Sequence, residues 1–447
     1  MEFVNVNFDH TIGRIKPMHA VNNGPLAGSD VEQVRSNFDD YKAAGIPYAR
    51  NHDASFCSSY GGEHTVDVHA VFPDFSKNPY DPRSYDFALT DDYLATIVNA
   101  GTKVFYRLGS KIEHWRKKYG TIVPADFRKW AVVCEHIVRH YTLGWADGFH
   151  YDVEYWEIWN EPDGVKTNGD QPNWSGTPEQ FYELYITAAT HLKKCFPALK
   201  IGGPALSWVK NEKWLSGFLK ALTENGERAP LDFFSWHAYP NDPESIRIDA
   251  EYVRKILDEA GFVKTESILN EWNYMEGWTD RFVSTILGII GMRGAAFTAA
   301  AMTTGQKTPI DMMMYYDARV NTVFNGMFDL YTMKPLKGYY PFVMFSALYK
   351  AGNEAESTSS HAHIHVVAAT GETGKAAMIT YYSPEKDAGP KEVAVRLAGG
   401  SGKERWQAKI LDKDRTMETL PCPPCRDGSL RFELEPDSVL FLSDAEA

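Results

Sequence analysis

Residues 151–164 read YDVEYWEIWNEPDG, and this stretch decides the fold. An aromatic, strand-like run stops at Asn160 and Glu161, and Pro162 follows directly. Proline cannot donate a hydrogen bond to a sheet, and it disfavours helical geometry in the residue before it. We therefore predict that Glu161 is the last residue of a buried strand, in extended geometry, with its carboxylate at the rim of a pocket.

Most of the chain repeats the arrangement of this stretch. Short β-branched or aromatic runs alternate with amphipathic segments, which is typical of βα units around a parallel sheet. Eight candidate strands lie at 13–19, 47–52, 102–108, 153–160, 199–203, 232–237, 266–271 and 312–317. The helix-like segments between and after them lie near 30–44, 92–100, 125–142, 178–195, 211–224, 244–260, 281–301 and 338–350. This pattern predicts an α/β fold, a (β/α)8 TIM barrel, over residues 11–352.

The end of the chain has a different pattern. From about residue 361, period-2 strands are joined by Gly, Pro and Asp turns, without a helical period between them. Residues 353–447 are therefore predicted to form a smaller, all-β, sandwich-like accessory domain. Residues 1–10 also alternate, and they predict a strand that joins this domain.

Composition bears on partners and location. The net charge is −13, with acids and bases interspersed along the 447 residues, which argues against nucleic acid and anionic membranes as partners. No segment reaches the roughly 18 apolar residues of a membrane span, and the first residues lack a secretion signal. Five cysteines suggest no disulfide framework. We expect a soluble, cytoplasmic protein.

Two motifs could in principle bind metal. His361, His363 and His365 alternate, and Cys422 and Cys425 form a CPPC sequence. We interpret the first motif as a solvent-facing edge strand and the second as a surface turn. No phosphate- or dinucleotide-binding motif is present either. The sequence therefore predicts no metal and no cofactor.

The predicted strand ends carry the chemistry, because a barrel places its site at the carboxyl ends of its strands. Glu161 follows the fourth strand and Glu271 ends the seventh, so the two face each other across one pocket. Paired carboxylates in a pocket rich in Trp and Tyr are what glycosidic bond cleavage requires. We predict that Glu161 is the acid/base and that Glu271 is the nucleophile, held ionised by hydrogen bonds from Arg50 and Tyr239.

These motifs resemble those of a known group of enzymes. WNEPD at 159–163 and ILNEW at 268–272 resemble the retaining glycoside hydrolases of clan A. RNH at 50–52, FPDF at 72–75, SYDF at 84–87 and WHAYP at 236–240 resemble family 39, which holds β-xylosidases and α-L-iduronidases. The resemblance covers about residues 10–350. It implies the same roles for the two glutamates and places Asn160 on the sugar 2-hydroxyl, with supporting contacts from Arg50, His52, His237 and Tyr239.

The end of the eighth strand departs from this pattern. Many clan members have a tryptophan there, whereas this chain has Tyr315, Tyr316 and Asp317. We take Tyr316 and Trp272 as further candidate sugar contacts. The departure leaves the identity of the sugar open.

The resemblance implies a retaining, β-xylosidase-like enzyme that cleaves terminal sugars from small oligosaccharides by double displacement. A β-glucosidase, β-galactosidase or α-L-arabinosidase on the same scaffold stays open. So does a catalytically silent sugar-binding barrel, in which the glutamates only hydrogen-bond the ligand. The resemblance also suggests a homo-oligomer.

Overall fold

The computed structural model describes residues 1–26, 35–52, 66–110, 120–164, 173–224, 226, 228–320, 322–385, 387–399, 405–421 and 428–444. The CPPC motif, predicted to be a surface turn, lies outside the described residues.

Eight parallel strands close into a barrel, each pairing with its neighbours in chain order. They are β2 (Ala20–Asn22), β3 (Tyr48–Arg50), β4 (Lys103–Leu108), β5 (Tyr155–Ile158), β6 (Lys200–Leu206), β7 (Phe233–Ala238), β8 (Glu266–Trp272) and β9 (Met312–Tyr315). Aromatic and aliphatic side chains such as Phe105, Phe233 and Met314 pack together as a separate buried cluster of barrel-strand residues. The predicted (β/α)8 barrel is confirmed.

Helices surround the barrel. They are α1 (Phe38–Ala43), α2 (Val68–Val71), α3 (Ala88–Asn99), α4 (Phe127–Leu143), α5 (Pro178–Cys195), α6 (Glu212–Ala221), α7 (Pro243–Glu259), α8 (Phe282–Ile290), α9 (Met292–Gln306) and α10 (Tyr340–Ala351). The start of α5 shows how local sequence determines where a helix begins. Thr177 and Gln180 form a reciprocal capping box around Pro178, which satisfies amide groups that a helix start leaves unpaired.

Nine further strands form the accessory sheet. They are β1 (Glu2–Arg14), β10 (Asn353–Ser359), β11 (Ile364–Gly371), β12 (Gly374–Tyr381), β13 (Lys391–Ala398), β14 (Trp406–Leu411), β15 (Thr416–Leu420), β16 (Leu430–Leu434) and β17 (Ser438–Asp444). Their order is β15-β14-β17-β12-β11-β10-β1-β13-β16. The strand β1 pairs with β10 and β13, so the first residues of the chain lie in this sheet. Val4, Val6 and Ile379 lie in its own hydrophobic core.

The prediction of the first barrel strand at 13–19 is wrong. Residues 13 and 14 end β1, where Arg14 pairs with Asn353, and the barrel begins only at Ala20. Between them, Lys16 donates hydrogen bonds from its ammonium group to three carbonyls near the start of β9. The residues of this connection are of the types common in strands. The sequence pattern therefore does not show where β1 ends and the first barrel strand starts.

The predicted helix at 281–301 is instead two helices. The chain breaks at Gly291, and α8 and α9 meet at an angle of 77°. In the described part of the chain, no single helix is long and apolar enough to cross a membrane. This bent pair passes such a test by length and composition, and nearly all of α9 is buried within the fold.

The edge strand predicted for the histidine motif is also wrong. His361 and His363 lie in the turn before β11, and only His365 lies on that strand. The backbone N–H of His363 donates to Nδ1 of His361 at 3.1 Å within this turn. The strand β11 is internal, between β10 and β12.

Candidate active site

The carboxyl end of β5 turns sharply to present Glu161. Trp159 has a φ of 75° and Glu161 a φ of 48°, so the predicted extended geometry of Glu161 is wrong. Hydrogen bonds from both neighbouring strands impose this conformation. The N–H of Trp159 donates to the carbonyl of Leu108 at 2.7 Å, and the N–H of Glu161 donates to that of Ala205 at 2.9 Å. Such left-handed geometry is strained for residues other than glycine, and it occurs where surrounding contacts enforce it.

Glu161 and Glu271 lie on either side of one histidine. Nδ1 of His237 is 2.8 Å from Oε1 of Glu161, and its Nε2 is 3.5 Å from Oε1 of Glu271. Nδ2 of Asn173 donates to the other oxygen of Glu161 at 3.2 Å. A carboxylate oxygen of Glu161 lies within 4.8 Å of one of Glu271. The structure therefore brings the two predicted acids together in one pocket.

Glu271 is nearly inaccessible, and both of its oxygens are engaged. Nη1 of Arg50 donates to Oε1 at 2.7 Å, and the hydroxyl of Tyr239 donates to Oε2 at 2.8 Å. Nε2 of His52 lies 3.3 Å from Oε1. The hydrogen bonds expected from Arg50 and Tyr239 are thus present.

Arg50 connects this pocket to a polar layer below it. The fully buried guanidinium also donates from Nε to Glu157 at 2.6 Å, from Nη1 to Asn22 at 3.1 Å and from Nη2 to Asn160 at 2.7 Å. Asn270 donates to the second oxygen of Glu157 at 2.6 Å. Nδ2 of Asn160 is buried and has no hydrogen-bond partner among the described residues.

The charges of the pocket set the protonation of Glu271. Burial acts to raise the pKa of Glu271, but the charges of His237, His52 and Arg50 and the Tyr239 hydrogen bond outweigh it, and the pKa falls to about 2. Burial acts in the opposite sense on His237, whose pKa is nevertheless raised by the carboxylates of Glu271 and Glu161. Glu271 is therefore ionised at neutral pH, which a nucleophilic carboxylate must be.

The structure places Tyr316 at the pocket and Trp272 away from it. The ring of Tyr316 lies 5.6 Å from that of His52. Trp272 is fully buried against Phe297 of α9 and Tyr315, so its prediction as a sugar contact is wrong. Side chains alternate along a strand, and since Glu271 faces the pocket, Trp272 must face the helices.

Two contacts of the site escaped the sequence analysis. Asn22 is the last residue of β2. The rule that site residues lie at the carboxyl ends of barrel strands predicts it once that strand is correctly placed. Asn173 lies in the loop after β5, where no sequence pattern marks it as a partner of Glu161.

Protein side chains already neutralise Glu271, which bears on whether the pocket could bind a metal ion. Glu161, His237 and Glu271 are close enough to one another to hold a metal ion. However, the Arg50 guanidinium occupies one oxygen of Glu271 at 2.7 Å, and the Tyr239 hydroxyl occupies the other. A cation placed beside Glu271 would face this guanidinium at close range. A second group with suitable donors, Glu135, His191 and Cys195, lies outside the pocket on α4 and α5.

Arg50→Met is expected to destabilise the fold by about 3–5 kcal/mol, because it leaves Glu157 and Glu271 buried without their counter-charge. Urea unfolding measures the loss. The added change Glu157→Gln should restore part of it by removing one uncompensated charge. Arg247→Met, an exposed arginine on α7, is the control and should have little effect. Equal stability of Arg50→Met and Arg247→Met would contradict the role given to the buried guanidinium.

Comparison with known proteins identifies similar sequences and folds. The family model described as glycosyl hydrolases family 39 matches residues 53–273, which include both glutamates. A β-xylosidase from Caldicellulosiruptor saccharolyticus is 30% identical over 217 residues, covering 42% of this chain and 41% of the relative. The chain thus spans less than half the length of that relative.

Solved structures match over the whole chain. A glucosidase from Croceicoccus marinus superposes with a TM-score of 0.82 at 24% identity, covering 100% of this chain and 99% of its own. A family 39 β-xylosidase from Caulobacter crescentus gives a TM-score of 0.68 at 17% identity, and the match covers 99% of this chain and 100% of that structure's chain. In the sequence of its barrel and in its fold, this chain is similar to the glycosyl hydrolases of family 39.

Proposed function

We propose that this chain is a retaining glycoside hydrolase that releases a terminal sugar by double displacement. The observation that carries the proposal is the proximity of the acids: one oxygen of Glu161 and one of Glu271 lie within 4.8 Å of each other, and both carboxylates contact His237. Retaining enzymes keep their carboxyl groups about 5–5.5 Å apart, whereas inverting enzymes separate them by about 6.5–9.5 Å to admit a water molecule. The short gap favours retention.

The environments of the two acids support distinct roles. Glu271, ionised and fixed by Arg50 and Tyr239, attacks the anomeric carbon and forms a glycosyl ester. Glu161, the more exposed of the two, protonates the departing oxygen and later takes a proton from water. Nδ2 of Asn160 donates to the sugar 2-hydroxyl, a contact that strengthens as the charge on the ring develops.

Xylosides are the first substrates to test, because two relatives similar in sequence to part of this chain are β-xylosidases. Glucosides come second, since one neighbour that matches the whole chain in fold is a glucosidase. β-Galactosides and α-L-arabinosides complete the set of sugars. The natural substrate is a small glycoside or oligosaccharide with this sugar at its end.

A panel of nitrophenyl glycosides tests the proposal, with the anomer of the first product followed by NMR. We expect turnover of one or two sugars and a product that keeps the configuration of the substrate. An inverted product would reject retention but leave the two acids in place. Binding of sugars without turnover of any activated glycoside would instead indicate the silent barrel.

The pH dependence of glycosylation tests the state of Glu271. A dinitrophenyl 2-fluoroglycoside labels the ionised nucleophile and needs no general acid, because dinitrophenolate leaves unaided. Since the pKa of Glu271 is lowered to about 2, the labelling rate should stay constant from neutral pH down to about pH 4.

His237→Gln provides the matching variant. It removes a positive charge beside Glu271, so the pKa of Glu271 should rise and the labelling rate should begin to fall at higher pH. His10→Gln, an exposed histidine on β1, should leave the profile unchanged. An identical profile for His237→Gln would show that His237 does not hold the nucleophile ionised.

The cytoplasmic location and the homo-oligomer stay predictions. Fractionation of the source cells tests the first, and light scattering of the purified protein tests the second.

A further inference from the structure

Exposed apolar side chains concentrate in the segments that follow β8 and β9. Sixteen large apolar residues are exposed in the described part of the chain, and seven of these lie between 278 and 331: Trp278, Val283, Leu287, Ile290, Val323, Leu330 and Tyr331. These residues lie in the segments that follow β8 and β9. The carboxyl ends of these strands lie on the same face of the barrel as Glu161 and Glu271, and Trp278 among these residues contacts a residue of the site, Tyr239.

A chain of ring contacts links these residues to the nucleophile. The ring of Tyr239, which donates to Glu271, lies 5.2 Å from Trp278. Trp278 lies 6.2 Å from Phe324, and Phe324 lies 5.7 Å from Tyr316. Tyr316 closes the path by its contact with His52, beside the same carboxylate. We call Trp278, Phe324 and Tyr316 the aromatic wall.

Polar groups near the aromatic wall are paired with other groups of the same loops. Nδ2 of Asn273 is buried and donates to the carbonyls of Tyr316 and Phe324, at 2.6 and 2.8 Å. The carboxylate of Glu276 accepts from Tyr274 and Ser284, at 2.6 and 2.8 Å. These amide and carboxylate groups are therefore engaged within the loops, while Trp278 as a residue is 57% exposed.

A wall of this kind suits an apolar ligand. A second sugar would bring several hydroxyls that need hydrogen-bond partners, and groups already paired within the protein serve them poorly. A planar apolar group makes no such demand, and it gains from stacking and from the removal of apolar surface from water.

We propose that the aromatic wall binds a planar, apolar aglycone, so that the preferred substrates are glycosides of aromatic or other apolar alcohols rather than oligosaccharides. This inference rests on the proposed function and names the group to which the cleaved sugar is attached. Trp278 has the largest exposed ring of the wall and is its main contact.

The test compares substrates whose leaving groups have similar acidity. A 2-naphthylmethyl glycoside and a methyl glycoside of the same sugar both release an alkyl-type alcohol, so a difference in kcat/KM reports contact with the aglycone. The disaccharide of that sugar is the third substrate. We expect the naphthylmethyl glycoside to exceed both of the others by at least about tenfold.

Trp278→Ala should reduce the ratio of kcat/KM for the naphthylmethyl glycoside to kcat/KM for the methyl glycoside about tenfold. The control is Tyr80→Ala, an exposed aromatic residue whose ring contacts His136 on α4, and it should keep the ratio of the wild type. A disaccharide preference, or equal ratios for Trp278→Ala and the wild type, would overturn the inference and leave the hydrolase intact.

Complete inactivity on every glycoside would instead reject the proposed function. In that case, quenching of tryptophan fluorescence by 2-naphthylmethanol still tests the wall. Saturable quenching that Trp278→Ala weakens and Tyr80→Ala retains would support the aromatic wall as an apolar site. Quenching that is absent or equal in all three proteins would overturn it.

Discussion

Glu271→Ala is expected to abolish hydrolysis of every substrate, with a loss on the order of 10⁴-fold or more in kcat. The reason is that no covalent glycosyl intermediate can form without this carboxylate. Added azide should enter from the vacated face and give a glycosyl azide of inverted configuration. Product analysis by NMR in the presence and absence of azide measures both effects.

The matched control for this variant is Glu266→Ala. Glu266 begins the same strand at the opposite end of the barrel, where it pairs with Lys200 at 2.7 Å. Its replacement should leave kcat close to that of the wild type. Substantial hydrolysis by Glu271→Ala, without azide, would contradict the assignment of the nucleophile.

Glu161→Ala is expected to show a loss that depends on the leaving group. Glycosides of poor leaving groups should lose on the order of 10²–10⁴-fold, the usual contribution of general acid catalysis. Dinitrophenyl glycosides should still glycosylate Glu271 at a rate close to that of the wild type, because their leaving group needs no proton. Their intermediate should then accumulate, since no base activates water.

The configuration of the azide product distinguishes Glu161→Ala from Glu271→Ala. It needs no general base, so it should restore turnover of Glu161→Ala and give a glycosyl azide of retained configuration. Glu154→Ala, just before the start of β5 and paired with Lys200 at 2.9 Å, is the control and should behave like the wild type. An equal loss for good and poor leaving groups in Glu161→Ala would reject its role as the acid.

Replacing the histidine between the acids should have a different effect from replacing a residue that contacts only one of them. His237 contacts both carboxylates, so its replacement should change the pH dependence of either step. A variant of Asn173 removes a contact of Glu161 alone. Comparing the two positions separates effects on the acid from effects on the nucleophile.

The sequence by itself determined the barrel and its two acids. Alternating strand and helix patterns are local, and each strand end that carries Asn160, Glu161 or Glu271 is marked by neighbouring residues such as Pro162. Because parallel strands in a barrel end on one face, a residue at a strand end lies at the level of the pocket, and the side that its side chain faces decides whether it enters the pocket. The contacts of Arg50 and Tyr239 with Glu271 follow from the same rule.

Only the tertiary structure decided which side of a strand each residue faces and what holds the backbone there. Trp272 follows Glu271 directly and yet packs in the helix layer, since a shift of one residue reverses the facing of a side chain. The left-handed geometry of Glu161 depends on hydrogen bonds from two strands distant in sequence. The aromatic wall likewise joins residues from two separate loops, which follow the paired strands β8 and β9.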